Sequence, residues 1–312
     1  MQGYYLIAFG TAFLVALIST PLVMRIALKI GAVDVPNKRK VHESIMPRLG
    51  GLAVFLGFIV AALLIFNGSA KVIALLLGCF VILIVGILDD IFDIPPRFKL
   101  AGQVLAASIV VVAGIRINFV NSPFNGYLHF GIFAVPITMV WIVAVTNAVN
   151  LIDGLDGLAS GVSAIALLTF ALIAYQFNQS IVSLLSIAMV GAILGFLRYN
   201  FYPAKIFLGD SGSMLLGFTI ATLAVFGLLK GVTILTFIIP TIILGVPIFD
   251  TLFAIVRRYL QAAPIFQADK KHIHHRLLGC GLSHKQVVLV IYGISLCFSF
   301  SALYLVQILP FF

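Results

Sequence analysis

Residues 72–93 read VIALLLGCFVILIVGILDDIFD: an uncharged, largely apolar run over 72–88, then Asp89 and Asp90 side by side, then Asp93. A helix needs roughly 20 apolar residues to cross a bilayer, so this run has the length and character of a membrane span. Carboxylates next to a bilayer are costly unless solvated, paired or coordinated. The stretch therefore joins a span to a polar site at its end, and the rest of the chain repeats that arrangement.

Of the 312 residues, 62% are hydrophobic and only 9% charged, with a mean hydropathy of +1.21. A soluble core needs far less apolar sequence. Ten candidate spans are read at roughly 4–24, 49–66, 72–88, 98–115, 132–149, 160–176, 181–197, 213–229, 232–252 and 286–308. They are continuous apolar runs, not the short alternating segments of a β-barrel. The expected fold is all-α: a single-domain polytopic membrane helix bundle over residues 1–312. Spans 2–3, 6–7 and 8–9 are separated by very short turns and read as helical hairpins. Residues 116–131 carry Asn125–Gly126 between partly alternating residues, the signal of a small β-hairpin. Cys79 and Cys297 lie in apolar runs and read as small buried residues, with no disulfide framework implied.

Charge sets the expected topology. With ten spans both termini share one face, and the loops after the odd-numbered spans share the other. Sixteen of the 19 Lys and Arg fall on that second face; Lys71, Arg116 and Lys230 do not. The positive-inside rule puts the basic loops in the cytoplasm and both termini outside. Arg25 and Lys29 follow the first apolar run and Met1–Tyr5 carries no charge, the pattern of a retained span and not a cleaved leader. A net charge of +9 distributed this way suits anionic lipid headgroups and an anionic substrate, and argues against nucleic acid.

All ten acids fall on the same expected face: Asp34, Glu43, Asp89, Asp90, Asp93, Asp153, Asp156, Asp210, Asp250 and Asp269. Gathered from distant parts of the chain, they point to one polar site holding a divalent cation. Asp89, Asp90 and Asp93 repel one another unless a cation, a shared proton or a nearby Lys or Arg intervenes. If the helix runs on, Asp89 and Asp93 share a face at i,i+4. NAVNLIDGLDGLASG (147–161) alternates carboxamide, carboxylate and glycine through Asn147, Asn150, Asp153 and Asp156. That chemistry suits a hydroxyl-rich sugar or nucleoside; the plainer alternative is a turn capping the next helix. In KIFLGDSGS (205–213), Asp210 stands at a helix start where N–H groups can hold phosphate and the carboxylate can hold a cation. Phe207 there can stack on a nucleobase or anchor in the membrane. His272, His274, His275 and Arg276, beside Lys270 and Lys271, fit phosphate better than zinc. Asp250 reads as a partner for Arg257 and Arg258, and Arg48 as the basic residue of residues 25–48 nearest the membrane. Solute transport is disfavoured, because its binding groups usually lie mid-membrane, where these spans carry no charge.

Five blocks in this order, DVPNKRKVHESIMPRLGG, LDDIFDIPP, NAVNLIDGLDGLASG, FLGDSGS and HIHHRL, resemble the polyprenyl-phosphate N-acetylhexosamine-1-phosphate transferases. The resemblance runs from about Asp34 to Arg276. It implies transfer of a sugar 1-phosphate from a UDP-N-acetylhexosamine to undecaprenyl phosphate, with release of UMP and a need for Mg2+ or Mn2+. By the same resemblance Asp89 and Asp90 match the family's catalytic acidic pair, with Asp89 the expected base. Asp210 matches the metal ligand, with Asp90 expected to assist. Asn150, Asp153 and Asp156 match the loop that holds uridine and sugar, and His272, His274 and His275 match the histidine cluster. The muramoyl-pentapeptide branch typically has Lys in place of Asp93 and three consecutive histidines in place of His-Ile-His-His. Both departures imply the branch that uses UDP-GlcNAc. The resemblance also implies a bacterial plasma-membrane location among membrane lipids, an active site facing the cytoplasm and a homodimer.

Overall fold

The computed structural model describes residues 2–34, 45–65, 68–122, 126–228, 235–261 and 272–308. Lys38, Arg39, Lys40, Glu43, Asn125, Lys230, Asp269, Lys270 and Lys271 lie outside the described residues. Twelve α-helices dominate among the described residues: α1 (Gln2–Ile30), α2 (Gly50–Ile65), α3 (Ala70–Phe92), α4 (Pro96–Val112), α5 (Ala134–Leu151), α6 (Leu158–Gln176), α7 (Ser180–Asn200), α8 (Gly209–Leu228), α9 (Leu235–Ile243), α10 (Gly245–Leu260), α11 (Ile273–Gly279) and α12 (His284–Ile308). Two small antiparallel ladders accompany them: β1 (Val33–Asp34) with β2 (Met46–Pro47), and β3 (Phe119–Ser122) with β4 (Gly126–His129). The second ladder is the expected hairpin, with Ser122 opposite Gly126 and Phe119 opposite His129.

Seven helices among the described residues are long and apolar enough to cross a membrane. The chain is an all-α polytopic membrane protein. Each expected span maps onto helix, but not onto ten uninterrupted crossings. Helices α2 and α4 have 16 and 17 residues. The ninth run is split at Leu244 into α9 and α10. Pro247 accounts for the split: it lacks an N–H, and its ring crowds the carbonyl four residues back, at Ile243, where α9 ends.

α8 is the axis of the bundle. Along Gly209–Gly227 it is 89% buried, against 28% for α1, so α1 forms an outer wall. Small residues allow this packing. Ala8, Ala12 and Ala16 lie one turn apart and are fully buried. Gly57 of α2 and Gly191 and Gly195 of α7 pack against the α1 backbone. With no hydrophobic effect between helices in lipid, such close van der Waals contact is a main source of association. Helices α6 and α7 form the expected hairpin, whereas α8 packs between α2 and α3. Cys79 is buried beside Thr219, as expected. Cys297 is exposed on α12, because its position falls on the outer face of that helix.

Candidate active site

The start of α8 is built by glycine. A Cβ on Gly51 would overlap the Gly212 nitrogen, and one on Gly86 would overlap the Ser211 Cα. Only hydrogen at both positions lets α2 and α3 approach the α8 backbone so closely. This approach carries Asp90, at the end of α3, under the first turn of α8. Its Oδ1 accepts the Asp210 N–H at 2.9 Å and its Oδ2 accepts the Ser211 N–H at 3.1 Å. Asp90 is thus a helix cap supplied by another helix. The Asp90 side chain is fully buried, and Arg48 adds a guanidinium 3.6 Å from its Oδ1. Two N–H groups expected to hold phosphate are therefore already filled by the protein's own carboxylate.

Asp89, one residue earlier, faces a different partner. Lys99, in the first turn of α4, places its Nζ 2.5 Å from Asp89 and 2.7 Å from Asp210. Asn150 donates from Nδ2 to the other Asp210 oxygen at 2.8 Å and to Ser213 Oγ at 2.8 Å. Asp89 Oδ1 is buried and has no hydrogen-bond partner among the described residues. Nearby Lys and Arg, one of the three ways to relieve the acidic cluster, stand beside all three acids. Helix α3 stops at Phe92, so Asp93 does not continue the Asp89 face. It sits in the left-handed region (φ 46°), exposed, with its carboxylate 3.8 Å from Arg48. Arg48 also reaches Asp34 at 4.0 Å. Asn147 lies one turn deeper in α5 than Asn150, and its carboxamide is paired both ways with Gln103.

Beside Asp210 opens a cavity of about 570 Å³, a typical size for a small-molecule site. Its wall includes Asp34, Asp153, Asp156 and Asp210, with Arg48, His275 and His284 as its basic side chains. The segment between α5 and α6 supplies Asp153 and Asp156. Asp156 Oδ2 accepts the Ala204 N–H at 3.0 Å. The Asp153 carboxyl has no hydrogen bond or ion pair among the described residues. Burial, with Asp210 and Asp90 close by, pushes it well above the usual range. Phe207 reaches the wall because residues 207–208 pair with the chain before α2. The Phe207 N–H donates to the Pro47 carbonyl at 2.8 Å, and the Gly50 N–H donates to the Phe207 carbonyl at 3.1 Å.

The histidines divide. His275 lines the cavity. His272 is buried, with Nδ1 2.8 Å from Asp250 Oδ2, while Asp250 Oδ1 accepts the Ile273 N–H at 2.9 Å. Asp250, read from sequence as an arginine partner, is thus engaged by α11. His274 is buried against Gly154, where a Cβ would overlap the imidazole. Burial and the neighbouring His275 and His272 push its pKa down to about 4, so the ring is neutral near pH 7. Arg276 is exposed and is not part of the cavity wall.

The structure thus brings Asp153, Asp156, Phe207, Asp210, His275 and Arg48 onto one wall. It sets Asn150, Asp89 and Asp90 behind that wall and leaves Asn147, His272, His274 and Arg276 off it. Sequence reasoning missed Lys99, Asn200, Tyr202 and His284. Lys99 carried a signal: a cation in the first turn of a helix opposes the macrodipole and implies a carboxylate partner. Asn200, Tyr202 and His284 carried none, since only the tertiary fold brings them to the wall.

Two residues of the wall, Asp153 and Asp210, carry the oxygen ligands that a hard divalent cation takes; among the described residues no group of three or more His, Cys, Asp or Glu side chains is set to hold one. Asp90, the other expected ligand, is absent from that wall, with its oxygens on N–H groups and Arg48; the Asp210 oxygens are likewise engaged, by Lys99 and Asn150.

The model of glycosyl transferase family 4 matches residues 72–228, which carry Asp89, Asp90, Lys99, Asn150, Asp153, Asp156 and Asp210. A Bacillus subtilis relative, a probable undecaprenyl-phosphate N-acetylglucosaminyl 1-phosphate transferase, is 49% identical over 96% of this chain and 84% of its own length. A decaprenyl-phosphate N-acetylglucosaminephosphotransferase of Mycobacterium tuberculosis is 36% identical over 90% of this chain and 78% of its own. A phospho-N-acetylmuramoyl-pentapeptide-transferase of Clostridium botulinum is 34% identical over 83% and 82%. Placed beside a carboxylate-walled cavity at one end of a membrane helix bundle, these likenesses lead to one conclusion: the chain belongs to glycosyl transferase family 4.

Proposed function

We propose that the protein transfers N-acetylglucosamine 1-phosphate from UDP-GlcNAc to undecaprenyl phosphate. The products are UMP and a lipid diphosphate-linked sugar that starts a cell-envelope glycan. The observation that carries this reading is the cavity, whose wall sets Asp153, Asp156 and Asp210 at one end of an apolar bundle. A cation between such a wall and a dianionic nucleotide would offset their charges and keep Asp153 ionised, and a polyprenyl tail stays in lipid while its phosphate reaches the bundle end. The choice of sugar follows the relatives, at 49% identity for the N-acetylglucosaminyl enzyme against 34% for the muramoyl-pentapeptide one.

In the reaction a lipid-phosphate oxygen attacks the β-phosphorus of UDP-GlcNAc. A new P–O bond forms to the lipid, and the bond to UMP breaks with its electron pair leaving on UMP. Mg2+ or Mn2+ held by Asp210 and Asp153 would supply neutralisation of the diphosphate. Asn150 and Lys99 orient the Asp210 carboxylate. Asp90 holds the start of α8, and so Asp210, in place. Asp89, tied to Asp210 through Lys99 behind the wall, has an oxygen without a partner among the described residues and would take the proton of a monoprotonated lipid phosphate that reaches it from the cavity side. Phe207 offers a ring face to the base, and Arg48 and His275 offer positive or donor groups to phosphate. The orientation that goes with this reading places the cavity in the cytoplasm of a bacterial plasma membrane, where UDP-sugars are made.

The test is turnover by purified protein in detergent with Mg2+, undecaprenyl phosphate and UDP-GlcNAc. The expected result is UMP and lipid-linked GlcNAc in equal amounts. Turnover only with UDP-GalNAc or UDP-MurNAc-pentapeptide would overturn the sugar, and no UMP from any of them would overturn the reaction.

A further inference from the structure

The Asp153–Gly157 segment is fastened from α12 by two side chains. The Asp156 N–H donates to His284 Nε2 at 2.9 Å, and the Tyr292 hydroxyl donates to the Gly157 carbonyl at 2.5 Å. His284 and Tyr292 are eight residues apart, on one face of the helix. A backbone N–H can only donate, so His284 Nε2 is the acceptor and the ring proton sits on Nδ1. That Nδ1 is buried without a partner among the described residues. Asp156 and the Tyr202 ring, 4.7 Å away by centroids, are therefore what hold the imidazole. Tyr292 is seated over Gly161, where a Cβ would strike its ring. Gly157 itself has φ +76°, a turn that suits glycine, between the latched carbonyl and the start of α6.

We propose that His284 and Tyr292 are positioning residues for the nucleotide-sugar donor. They latch the segment that presents Asp153 and Asp156 to the cavity, and so set donor affinity more than the rate of transfer. This rests on the reading that the cavity takes a UDP-sugar. A segment that is already ordered loses less entropy when the donor binds. Without the latch, the donor must order the segment itself.

The experiment compares wild type with His284→Ala, His284→Gln and Tyr292→Phe by amide hydrogen exchange and steady-state kinetics. In His284→Ala the Asp156 amide is expected to lose protection. The KM for UDP-GlcNAc rises about three- to tenfold, the net worth of one hydrogen bond, while kcat and the KM for undecaprenyl phosphate hold. The glutamine carboxamide can accept from the same N–H, so His284→Gln recovers most of the donor KM. Tyr292→Phe keeps the ring over Gly161 and shifts the donor KM in the same direction, and it decides the matter if His284→Ala does not fold. An unchanged donor KM in both removals, no rescue by glutamine, or a loss confined to kcat overturns the proposal. If wild type turns over no UDP-sugar, the functional reading fails by itself. Exchange at Asp156 then still decides the latch: protection lost in His284→Ala supports it, and an unprotected wild-type amide overturns it.

Discussion

Two acidic regions of this molecule look alike in sequence and behave as opposites in the fold. In Leu88–Asp93 the protein supplies partners: Asp90 meets two N–H groups and Arg48, and one oxygen of Asp89 meets Lys99. In Asp153–Gly157, Asp153 has no ion pair among the described residues and stands on the cavity wall. The first region is electrostatically closed and shapes the bundle. The second faces the cavity, where a bound cation would add to the charge that Arg48 brings. A carboxylate's role thus follows from who neutralises it, not from how many neighbours of its kind it has.

Asp90→Ala strikes the closed region hardest. Removing one partner of a buried charge pair costs about 3–5 kcal/mol, so thermal unfolding should shift far down, with activity lost alongside. Asp153→Asn should leave the unfolding midpoint unchanged or higher while abolishing Mg2+-dependent turnover. Equal stability losses in the two variants would dissolve the distinction between the regions.

Asp210→Asn joins the two regions and should lower kcat/KM on the order of a hundred- to a thousandfold, with the fold retained. Gly86→Ala sharpens the packing half of the account. Its Cβ would meet backbone atoms of Ser211, and overpacking of this kind costs about 1–3 kcal/mol. Its unfolding midpoint should fall, whereas Gly293→Ala, with open space around it, should not.

The smallest effect is in pH. His274 is held near pKa 4 in the fold, against 6.5 ordinarily. Between those values the unfolded chain binds the extra proton, so the ring's contribution to stability falls as pH drops from about 6.5 to about 4. A His274→Asn variant should show a flatter acid limb in the unfolding midpoint. An identical slope would mean that the ring charges freely in the fold.

Much of the fold and the existence of the site are legible in the amino-acid sequence. The apolar runs mark helices, the hairpin around 119–129 follows from its turn residues, and the acids point to one site. The closed status of Asp90 is not legible there. It depends on a contact with residues 120 and 121 positions away, made possible by Gly51 and Gly86. Lys99 likewise meets Asp210 across 111 positions. The split at Leu244 is foreshadowed by Pro247, but hydropathy averages across such a break. The histidine block looks like one phosphate site because spacing does not reveal that His272 turns to Asp250 and His274 to Gly154.

The most direct test of the open wall is equilibrium binding of UDP-GlcNAc to the purified protein with Mg2+ and with a chelator. The account predicts that Mg2+ tightens binding in wild type on the order of tenfold or more, and that Asp153→Asn removes this gain. Binding of equal strength with and without the cation would contradict it.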